Sequence, residues 1–502
     1  MTKHVKQTGW RRAGAGWIST LLAASFLLSG CGKTEVDQAQ QTQQQANTST
    51  AAPETVADPY DDDLPADLNY GGYTFKVLTA SSTVYTDFDA ENLTGERVKD
   101  ALYKRNRKLE ARFNIVFENE VSTYNENNSL LERNILSQSD EYDLIMVLDR
   151  QAFAAAEKNY ILRVEELPYL DITKPYYAQD VNQELSISGV TYFAYSDECL
   201  NMFEQTGCVF FNKQKAEDLG LGDLYETVGN GKWTHDLMHT YALTAARDVD
   251  NNGSWDSSDV FGIIGQMDMF YPSFWTSANL KTVAKDADDH VYFAANGNEH
   301  FINVVQNAIS YFNQNDGFLY SSPGYDRMAD VRAFSGSSSL FHVGIIGYAS
   351  YLGDMEEDFG VLPFPKYDEA QEGYHSRVVG AWINVAPSVA SDPARTSAIM
   401  EALASESAKT VYSEYYESAL KYRYLRDEQS IAMLELIKNT RTLDLGDTIF
   451  YSTVRGPLND LFKVNAPGLV SYLSSYSRVV EKLLQTTNET ADAIKSQILS
   501  QQ

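Results

Sequence analysis

The sequence predicts an α/β fold divided between two lobes. Apolar segments with strand character alternate with amphipathic segments of helical period, an order that produces a parallel sheet covered by helices. About 430 residues follow the N-terminal leader and tether, which is more than one hydrophobic core usually holds. With 3 Cys in 502 residues, disulfides do not build the scaffold, so hydrophobic cores must hold it together.

The first part of the folded body shows this alternation. Residues 73–79 predict a strand, and residues 97–113 place apolar side chains at helical spacing with charges on the opposite face. NIVFE at 114–118 predicts a second strand, an amphipathic helix includes 130–136, and YDLIMVL at 142–148 predicts a buried third strand. Because the links are short, the three strands are expected to be parallel.

Helices predominate in the remaining chain, and strands interrupt them. No internal repeat is visible. Helices are predicted at 234–247, about 300–314, 326–334, 394–417 and 427–439, and strands at 261–266, 339–347, 358–365 and 381–388.

The N-terminus predicts export. A basic leader with Arg11 and Arg12 precedes an apolar run from 17 to 28, which is shorter than the roughly 20 residues of a membrane span. This pattern is typical of a signal peptide. Leu28-Ser-Gly-Cys31 resembles a bacterial lipobox; the resemblance implies that residues 1–30 are removed and that Cys31 carries lipid such as palmitate. The alternative is an ordinary signal peptide with an incidental cysteine.

Residues 31–69 predict a disordered tether, because they are rich in Gln, Thr, Ala and Asp and poor in large apolar side chains. The mature protein would then contact the membrane through its lipid alone. The chain has 69 acidic and 40 basic residues, a net charge of −29. This surplus argues against nucleic acid or an anionic membrane surface as a partner.

An acidic loop (248–259) has the oxygen spacing of an EF-hand calcium loop. Gly253 stands at the sixth place, where such a loop bends sharply, and Asp259 replaces the usual Glu at the twelfth. A helix precedes the loop but a strand follows it, so a structural Ca²⁺ is predicted rather than a sensor. The alternative is a solvated acidic turn. The expected ligands are Asp248, Asp250, Asn252, Ser254, Asp256 and Asp259.

Five motifs follow the lipobox and tether in a fixed order: TFKVLT, YDLIMVL, CVFFNK, FGVLPFP and GAWINVAP. Together they resemble the extracellular solute-binding proteins of bacterial ABC importers, in the carbohydrate group that includes maltose-binding protein. The resemblance implies a two-lobed periplasmic-binding-protein-like fold of type II, with about three crossing segments near 197–206, 375–382 and 420–427. One lobe would contain 70–200 and 383–420, and the other 206–375 and 428–502.

The same resemblance implies a monomer, lipid-anchored to the outer face of the cell membrane. It would capture a carbohydrate, for which an oligosaccharide is the favoured interpretation, and deliver it to an ABC transporter permease. Sugar recognition needs aromatic faces and side chains that bond hydroxyl groups. Trp382 and Trp275 are expected to stack on the ligand from opposite sides of the cleft, although a core position is the alternative for any aromatic. The other expected ligand residues are Asp149, Arg150, Tyr348 and Gln205.

Two questions stay open at this stage. Cys199 and Cys208 flank the first crossing segment and would either form a disulfide or remain buried thiols. A secreted glycoside hydrolase, or another cell-surface carbohydrate-active protein, is the alternative function. That chemistry needs two carboxylates about 5–9.5 Å apart, and no segment of the sequence singles out such a pair. A binding protein without catalysis is therefore expected.

Overall fold

A computed structural model describes residues 58–312, 316–321, 326–417, 420, 425, 427–463 and 468–501. The predicted two-lobed α/β class is confirmed, since the described residues form a four-stranded and a five-stranded sheet, both packed with helices. We call the part around the four-stranded sheet the first lobe and the part around the five-stranded sheet the second lobe.

The strands agree with the predicted segments to within a few residues. In chain order they are β1 (Tyr73–Ala80), β2 (Ile115–Ser122), β3 (Leu144–Leu148), β4 (Ser186–Ile187), β5 (Val190–Thr191), β6 (Gly207–Asn212), β7 (Phe261–Ile264), β8 (Val283–Lys285), β9 (Val291–Phe293), β10 (Leu319–Tyr320), β11 (Ser339–Ile345), β12 (Phe359–Leu362), β13 (Ser376–Arg377), β14 (Trp382–Val385) and β15 (Arg441–Thr442).

The helices include all those predicted, together with others. They are α1 (Arg97–Phe113), α2 (Tyr124–Leu136), α3 (Asp149–Glu157), α4 (Gln179–Leu185), α5 (Leu200–Glu204), α6 (Lys213–Asp218), α7 (Leu224–Gly229), α8 (His235–Ala245), α9 (Met267–Ser277), α10 (Glu299–Phe312), α11 (Arg327–Ser335), α12 (Ala349–Leu352), α13 (Pro393–Ser407), α14 (Glu428–Asn439), α15 (Arg455–Asn459) and α16 (Leu469–Gln501). A π-helical segment, Ala408–Tyr412, extends α13.

The first sheet has the order β14-β3-β1-β2. Strands β1, β2 and β3 are parallel as predicted, and β14 returns antiparallel to β3. The second sheet has the order β10-β7-β11-β6-β12, in which β6 runs antiparallel to both neighbours. Every residue of β6, β7, β11 and β12 is buried. This pattern is expected where helices cover both faces of a sheet.

Local sequence explains the helix that bridges the first two strands. The Glu96 carboxylate accepts hydrogen bonds from the backbone of Val98 and Lys99 and caps the start of α1. Asn114, with φ of 51°, ends the helix in the left-handed conformation. Leu102, Leu109 and Phe113 are among the residues that α1 buries. Helix α1 is thereby fixed over the first sheet and leads directly into β2.

Two of the predicted crossing segments run side by side. Thr206 and Val378 form an antiparallel bridge, and the Val379 amide donates to the Gln205 carbonyl over 3.0 Å. A buried ion pair between Arg377 and Asp447, 2.5 Å at its shorter contact, anchors this hinge to the second lobe. Of the third segment, 420–427, the structure describes only residues 420, 425 and 427. The exact lobe limits stay a prediction.

The tether prediction is wrong for residues 58–69, which pack against the first lobe. The Asp62 carboxylate accepts two hydrogen bonds from Arg112, each 2.7 Å. Leu64 and Leu68 contact the apolar cluster beneath β1 and α1. Paired aspartates and two leucines compensate the entropy cost of ordering this segment. The leader, Cys31 and the tether up to residue 57 lie outside the described residues.

The long C-terminal helix α16 was not predicted from the sequence. Its Thr487 hydroxyl lies 3.4 Å from Glu157 of α3, and Asn488 donates to and accepts from the backbone of Val291 in β9. The helix therefore contacts elements of both lobes. Within the described part of the chain, no helix has both the length and the apolar character needed to cross a membrane.

Candidate functional site

A cavity of about 400 Å³ opens between the two lobes; we call it the cleft. It lies where β1 and β2 end, and its floor contains Thr79, Ala80 and Val121. The opposite wall comes from Ser350 and Tyr351, which follow the end of β11 in the second lobe. Ligands of α/β proteins bind outside the carboxyl ends of parallel strands, so the cleft is the candidate site.

The loop after β1 supplies most of the polar lining of the cleft. The sequence SSTVYTDFD at residues 81–89 places hydroxyl and carboxylate groups along one wall. The Tyr351 hydroxyl donates to the Thr83 carbonyl over 2.9 Å, which joins the second lobe to this loop. This hydrogen bond between the lobes therefore closes the cleft at this point.

Glu204, at the end of α5 in the first crossing segment, is the buried acid of the cleft. It is 5% exposed. Its carboxylate accepts hydrogen bonds from the Tyr85 amide and from the Tyr415 hydroxyl, the latter over 2.5 Å. Burial raises the pKa of Glu204 to about 7, although the hydrogen bonds from Tyr415 and Tyr85 act in the opposite direction. This carboxylate thus connects the hinge, the β1 loop and the segment after α13.

Tyr415 reaches the cleft from a chain segment that departs from regular α-helix. The π-helical segment Ala408–Tyr412 lies directly before it, and such insertions are frequent at functional sites. The rings of Tyr85 and Tyr415 lie 6.1 Å apart at 59°. The two tyrosines therefore form an aromatic corner beside the Glu204 carboxylate.

The structure does not place the Asp149 carboxylate in the cleft, contrary to the expected sugar contact. Asp149 is 1% exposed, and its oxygens accept from the Tyr195 hydroxyl at 2.8 Å and from the Arg150 and Ala381 amides. Gly380 has a φ of 117°, which strains any residue with a side chain, and a Cβ there would be in tight contact with an Asp149 oxygen at 3.0 Å. Asp149 therefore fastens the hinge strand to α3.

Arg150 lines a separate cavity of about 380 Å³, which we call the second groove. Helices α2 and α3 form one wall, and residues 449–453 form the other. The Arg150 guanidinium lies 5.1 Å from the centre of the Tyr451 ring, and Arg455 lies 4.8 Å from the same ring. This cation–π contact joins the lobes at a second place.

Both tryptophans expected to stack on the ligand lie in the core. Trp275 is fully buried in α9, where its indole N–H donates to Asp444 over 3.1 Å. Trp382 is 4% exposed and belongs to a buried cluster with Ala80 and Met146. Trp275 is buried because α9, which was not predicted as a helix, buries every residue from Met269 to Ser277, and Trp382 is buried because all of β14 is.

Tyr348 and Gln205 both lie near the hinge, Tyr348 fully buried and Gln205 half-buried. Tyr348 is 2% exposed, and its ring stacks on His342 at 5.8 Å. Burial raises the pKa of the Tyr348 phenol to about 12, while neighbouring Arg327 lowers it. The Gln205 backbone pairs with Val379, as described above. Cys199 and Cys208 are both free and buried thiols, so the structure does not contain the disulfide that was left open.

The acidic loop brings together three of its six expected ligands. One carboxylate oxygen from each of Asp248, Asp250 and Asp259 lies within 4.8 Å of the others. The Arg247 amide donates to the Val260 carbonyl at 2.7 Å and closes the loop at its ends. Gly253 has φ of 79°, as the sharp bend requires. The donor set fits Ca²⁺, since close carboxylates repel one another without a cation.

The remaining loop side chains have other partners. The Asp256 carboxylate accepts from Ser258, and the Asn252 side-chain oxygen accepts from the Ser254 amide at 2.6 Å. Trp255 packs against Phe261 at 5.6 Å and lies so close to Gly317 that a Cβ there would be 2.2 Å from the indole ring. The acidic loop is thereby held against strand β10.

No protein-family model and no curated protein matches the sequence. Solved structures do match in fold. A cyclo/maltodextrin-binding protein in complex with maltotetraose aligns with a TM-score of 0.56 at 12% identity, over 82% of this chain and 97% of that one. The chain has the fold of ABC-importer solute-binding proteins.

Further structures support this assignment of the fold. An ABC transporter solute-binding protein from Thermotoga lettingae bound to tagatose aligns with a TM-score of 0.55 at 13% identity, over 82% of this chain and all of the other. The GacH receptor of Streptomyces glaucescens, studied with acarbose, aligns with a TM-score of 0.54 at 12% identity, over 82% of this chain and 99% of that one. At these identities the solute-binding-protein fold is shared, while the ligand of this chain is a separate question.

Sequence reasoning missed the main polar residue of the cleft. It named Gln205, whereas the buried acid is its neighbour Glu204. Residues 200–204 form one helical turn, and the direction in which each side chain points depends on where that turn begins. The FEQT sequence in a crossing segment was a sufficient indication that an acid lies near the hinge, but not of which residue faces the cleft.

Proposed function

We propose that this protein is an extracytoplasmic solute-binding protein that captures a carbohydrate and delivers it to an ABC importer. The observation that carries the proposal is the cleft at the carboxyl edge of the first sheet, walled on its other side by the second lobe. Its volume lies within the range of about 300–1,000 Å³ found for small-molecule sites. Tyrosine rings and hydroxyl, amide and carboxylate groups in its lining suit a polyhydroxylated ligand.

Hinge closure is the mechanism that we propose for capture. The lobes are joined by the paired segments at Thr206 and Val378 and meet across the cleft through Tyr351 and Thr83. A ligand that bonds to both walls binds the closed arrangement more tightly than the open one, and therefore shifts the population toward it. The closed form would then be the one presented to the permease.

The test uses two cavity-filling variants and a panel of oligosaccharides. Ser82→Trp fills the cleft, and Ala154→Trp fills the second groove; both positions are exposed and each lines one cavity. We expect wild-type protein and Ala154→Trp to bind the same sugars with the same Kd by titration calorimetry, and Ser82→Trp to lose binding. Loss in Ala154→Trp alone would move the site to the second groove. No binding by wild-type protein would refute the proposal.

The anchor and the metal are parts of the same proposal. Lipidation of Cys31 would hold the mature protein at the outer face of the cell membrane through its lipid. Ca²⁺ would be held by Asp248, Asp250 and Asp259, where it would neutralise three close carboxylates and stabilise the acidic loop. No contact of Ca²⁺ with the cleft is implied, since the loop is anchored on β10 and not on the cleft walls.

One observation favours glycoside hydrolysis as a second candidate. A general acid in a glycosidase needs a raised pKa, and Glu204 has one beside further carboxylates of the lining, Asp87, Asp89 and Glu96. Against it, both Glu204 oxygens accept hydrogen bonds from the protein, and Glu96 caps α1. Chromatography of the sugar recovered after long incubation separates the two functions, because a binding protein returns it intact.

A further inference from the structure

The charge of the cleft wall points to a particular class of sugar. Among the described residues the lining contains four carboxylates and no Lys or Arg: Asp87, Asp89, Glu96 and Glu204. A ligand with a carboxylate or phosphate would find no cationic side chain in the described lining to pair with, and would lose its hydration without compensation. Anionic sugars are therefore disfavoured from the start.

Three of the four carboxylates already have partners outside the cleft. Asp89 forms a 2.9 Å ion pair with Arg107, and Asp87 lies 3.9 Å from Lys99. Glu96 accepts from two backbone amides at the start of α1, as described above. Their negative charge is compensated locally, so these side chains do not by themselves require a charged ligand.

Glu204 differs from them because its described partners are neutral. The Tyr85 amide and the Tyr415 hydroxyl are hydrogen-bond donors without charge, and no ion pair to Glu204 is formed within the described residues. Its oxygens still offer lone pairs, since a carboxylate has about four acceptor sites. A buried acid with neutral partners is stabilised in its ionised form when a cation approaches it.

On this basis, and resting on the proposed function, we infer that the cleft selects a carbohydrate that carries a protonated amine, with Glu204 as the residue that pairs with the ammonium group. The ammonium would replace neither tyrosine contact, because it takes a free acceptor site of the carboxylate. The Tyr85–Tyr415 corner would lie beside the sugar ring that bears the amine. Neutral sugars of the same shape would bind more weakly, and uronic acid oligomers most weakly.

Three oligosaccharides test this selectivity directly. Glucosamine oligomers carry ammonium groups, N-acetylglucosamine oligomers have the same linkage and no charge, and galacturonic acid oligomers are anionic. We expect calorimetry near neutral pH to show at least about tenfold tighter binding of glucosamine oligomers than of the N-acetylated ones, as a desolvated charge pair provides. Galacturonic acid oligomers should not bind.

The variant Glu204→Gln should reduce the preference for the amine to less than about twofold. Glu401→Gln is the matched control, since Glu401 is also buried and accepts from two tyrosine hydroxyls, Tyr176 and Tyr177, away from the cleft. It should keep the wild-type preference. If Glu204→Gln does not fold, the inference is tested by the relative affinities of wild-type protein for the three oligosaccharides.

The outcomes separate this inference from the proposed function. Equal or tighter binding of the N-acetylated oligomers, or tightest binding of the uronic acids, would overturn the inference and leave carbohydrate capture intact. A preference that persists in Glu204→Gln would also overturn it. No binding of any sugar, in these experiments and in the wider panel, would overturn both.

Discussion

Replacing Glu204 by Gln should flatten the pH dependence of stability of the unliganded protein. In the folded state burial raises the pKa of this acid from 4.5 to about 7. Between those pH values the folded state holds one proton more than the unfolded state at this site, so the free energy of unfolding falls as pH rises. Over that interval the loss amounts to roughly 3 kcal/mol, at about 1.4 kcal/mol per pH unit.

The assay is denaturant-induced unfolding of three proteins at pH 5 and pH 8. Between pH 5 and pH 8 the free energy of unfolding of Glu204→Gln should fall by about 2–3 kcal/mol less than that of wild-type protein, since Gln has no proton to release. The variant should still fold, because the Gln amide can donate to the Tyr415 hydroxyl. Glu118→Gln removes a carboxylate that is 61% exposed and should keep the wild-type difference. The reasoning is refuted if Glu204→Gln and wild-type protein show the same difference.

Four other outcomes are expected. Trp275→Phe should lower stability by roughly 2–3 kcal/mol, through lost burial and the lost bond to Asp444, and leave sugar affinity within twofold in calorimetry. Ca²⁺ at about a hundred times its Kd should add about 2.7 kcal/mol of stability, an effect that Asp248→Asn abolishes and that Asp288→Asn, in an acidic turn elsewhere, retains. Gly317→Ala should lower the melting temperature and change tryptophan fluorescence, because its φ is 75° and the new methyl group meets the Trp255 ring. Cys31→Ser should move the protein from the membrane to the soluble fraction on cell fractionation; unchanged partitioning would contradict lipidation.

The periodicity of the sequence was sufficient to predict the fold class and most elements. The stretch 97–113 places its apolar side chains on one helix face, and the five consecutive apolar residues 144–148 favour a short buried strand. The antiparallel pairings of β6 and β14 were not predictable from periodicity. They depend on where the chain crosses between lobes, which is decided by long-range contacts such as Thr206 with Val378.

The candidate site was predicted less well, for a physical reason. The sequence pattern around an aromatic or acidic residue does not show whether its side chain faces a ligand or the core. Trp275 and Asp149 both find hydrogen-bond partners inside the protein. The Trp275 indole donates to the buried Asp444 carboxylate, and the Asp149 carboxylate accepts from Tyr195 and two backbone amides. Glu204 is recognised as the buried acid of the cleft only from the structure, in which the loop after β1 and the segment after α13 both pack around its carboxylate. Such convergence of distant segments is not visible in local sequence.

The acidic loop was the most predictable feature, because all its donors come from twelve consecutive residues. Spacing alone placed Asp248, Asp250 and Asp259 together, and the structure brings their oxygens within 4.8 Å of one another. Whether Ca²⁺ occupies the loop stays a prediction.

The most direct test of carbohydrate capture is a crystal structure of the protein grown with the oligosaccharide that raises its melting temperature most. The account predicts sugar density in the cleft, with a ring beside Tyr85 and Tyr415 and polar contacts to Glu204 and to the Tyr351 wall. Sugar bound in the second groove, or at the surface with the cleft empty, would contradict it.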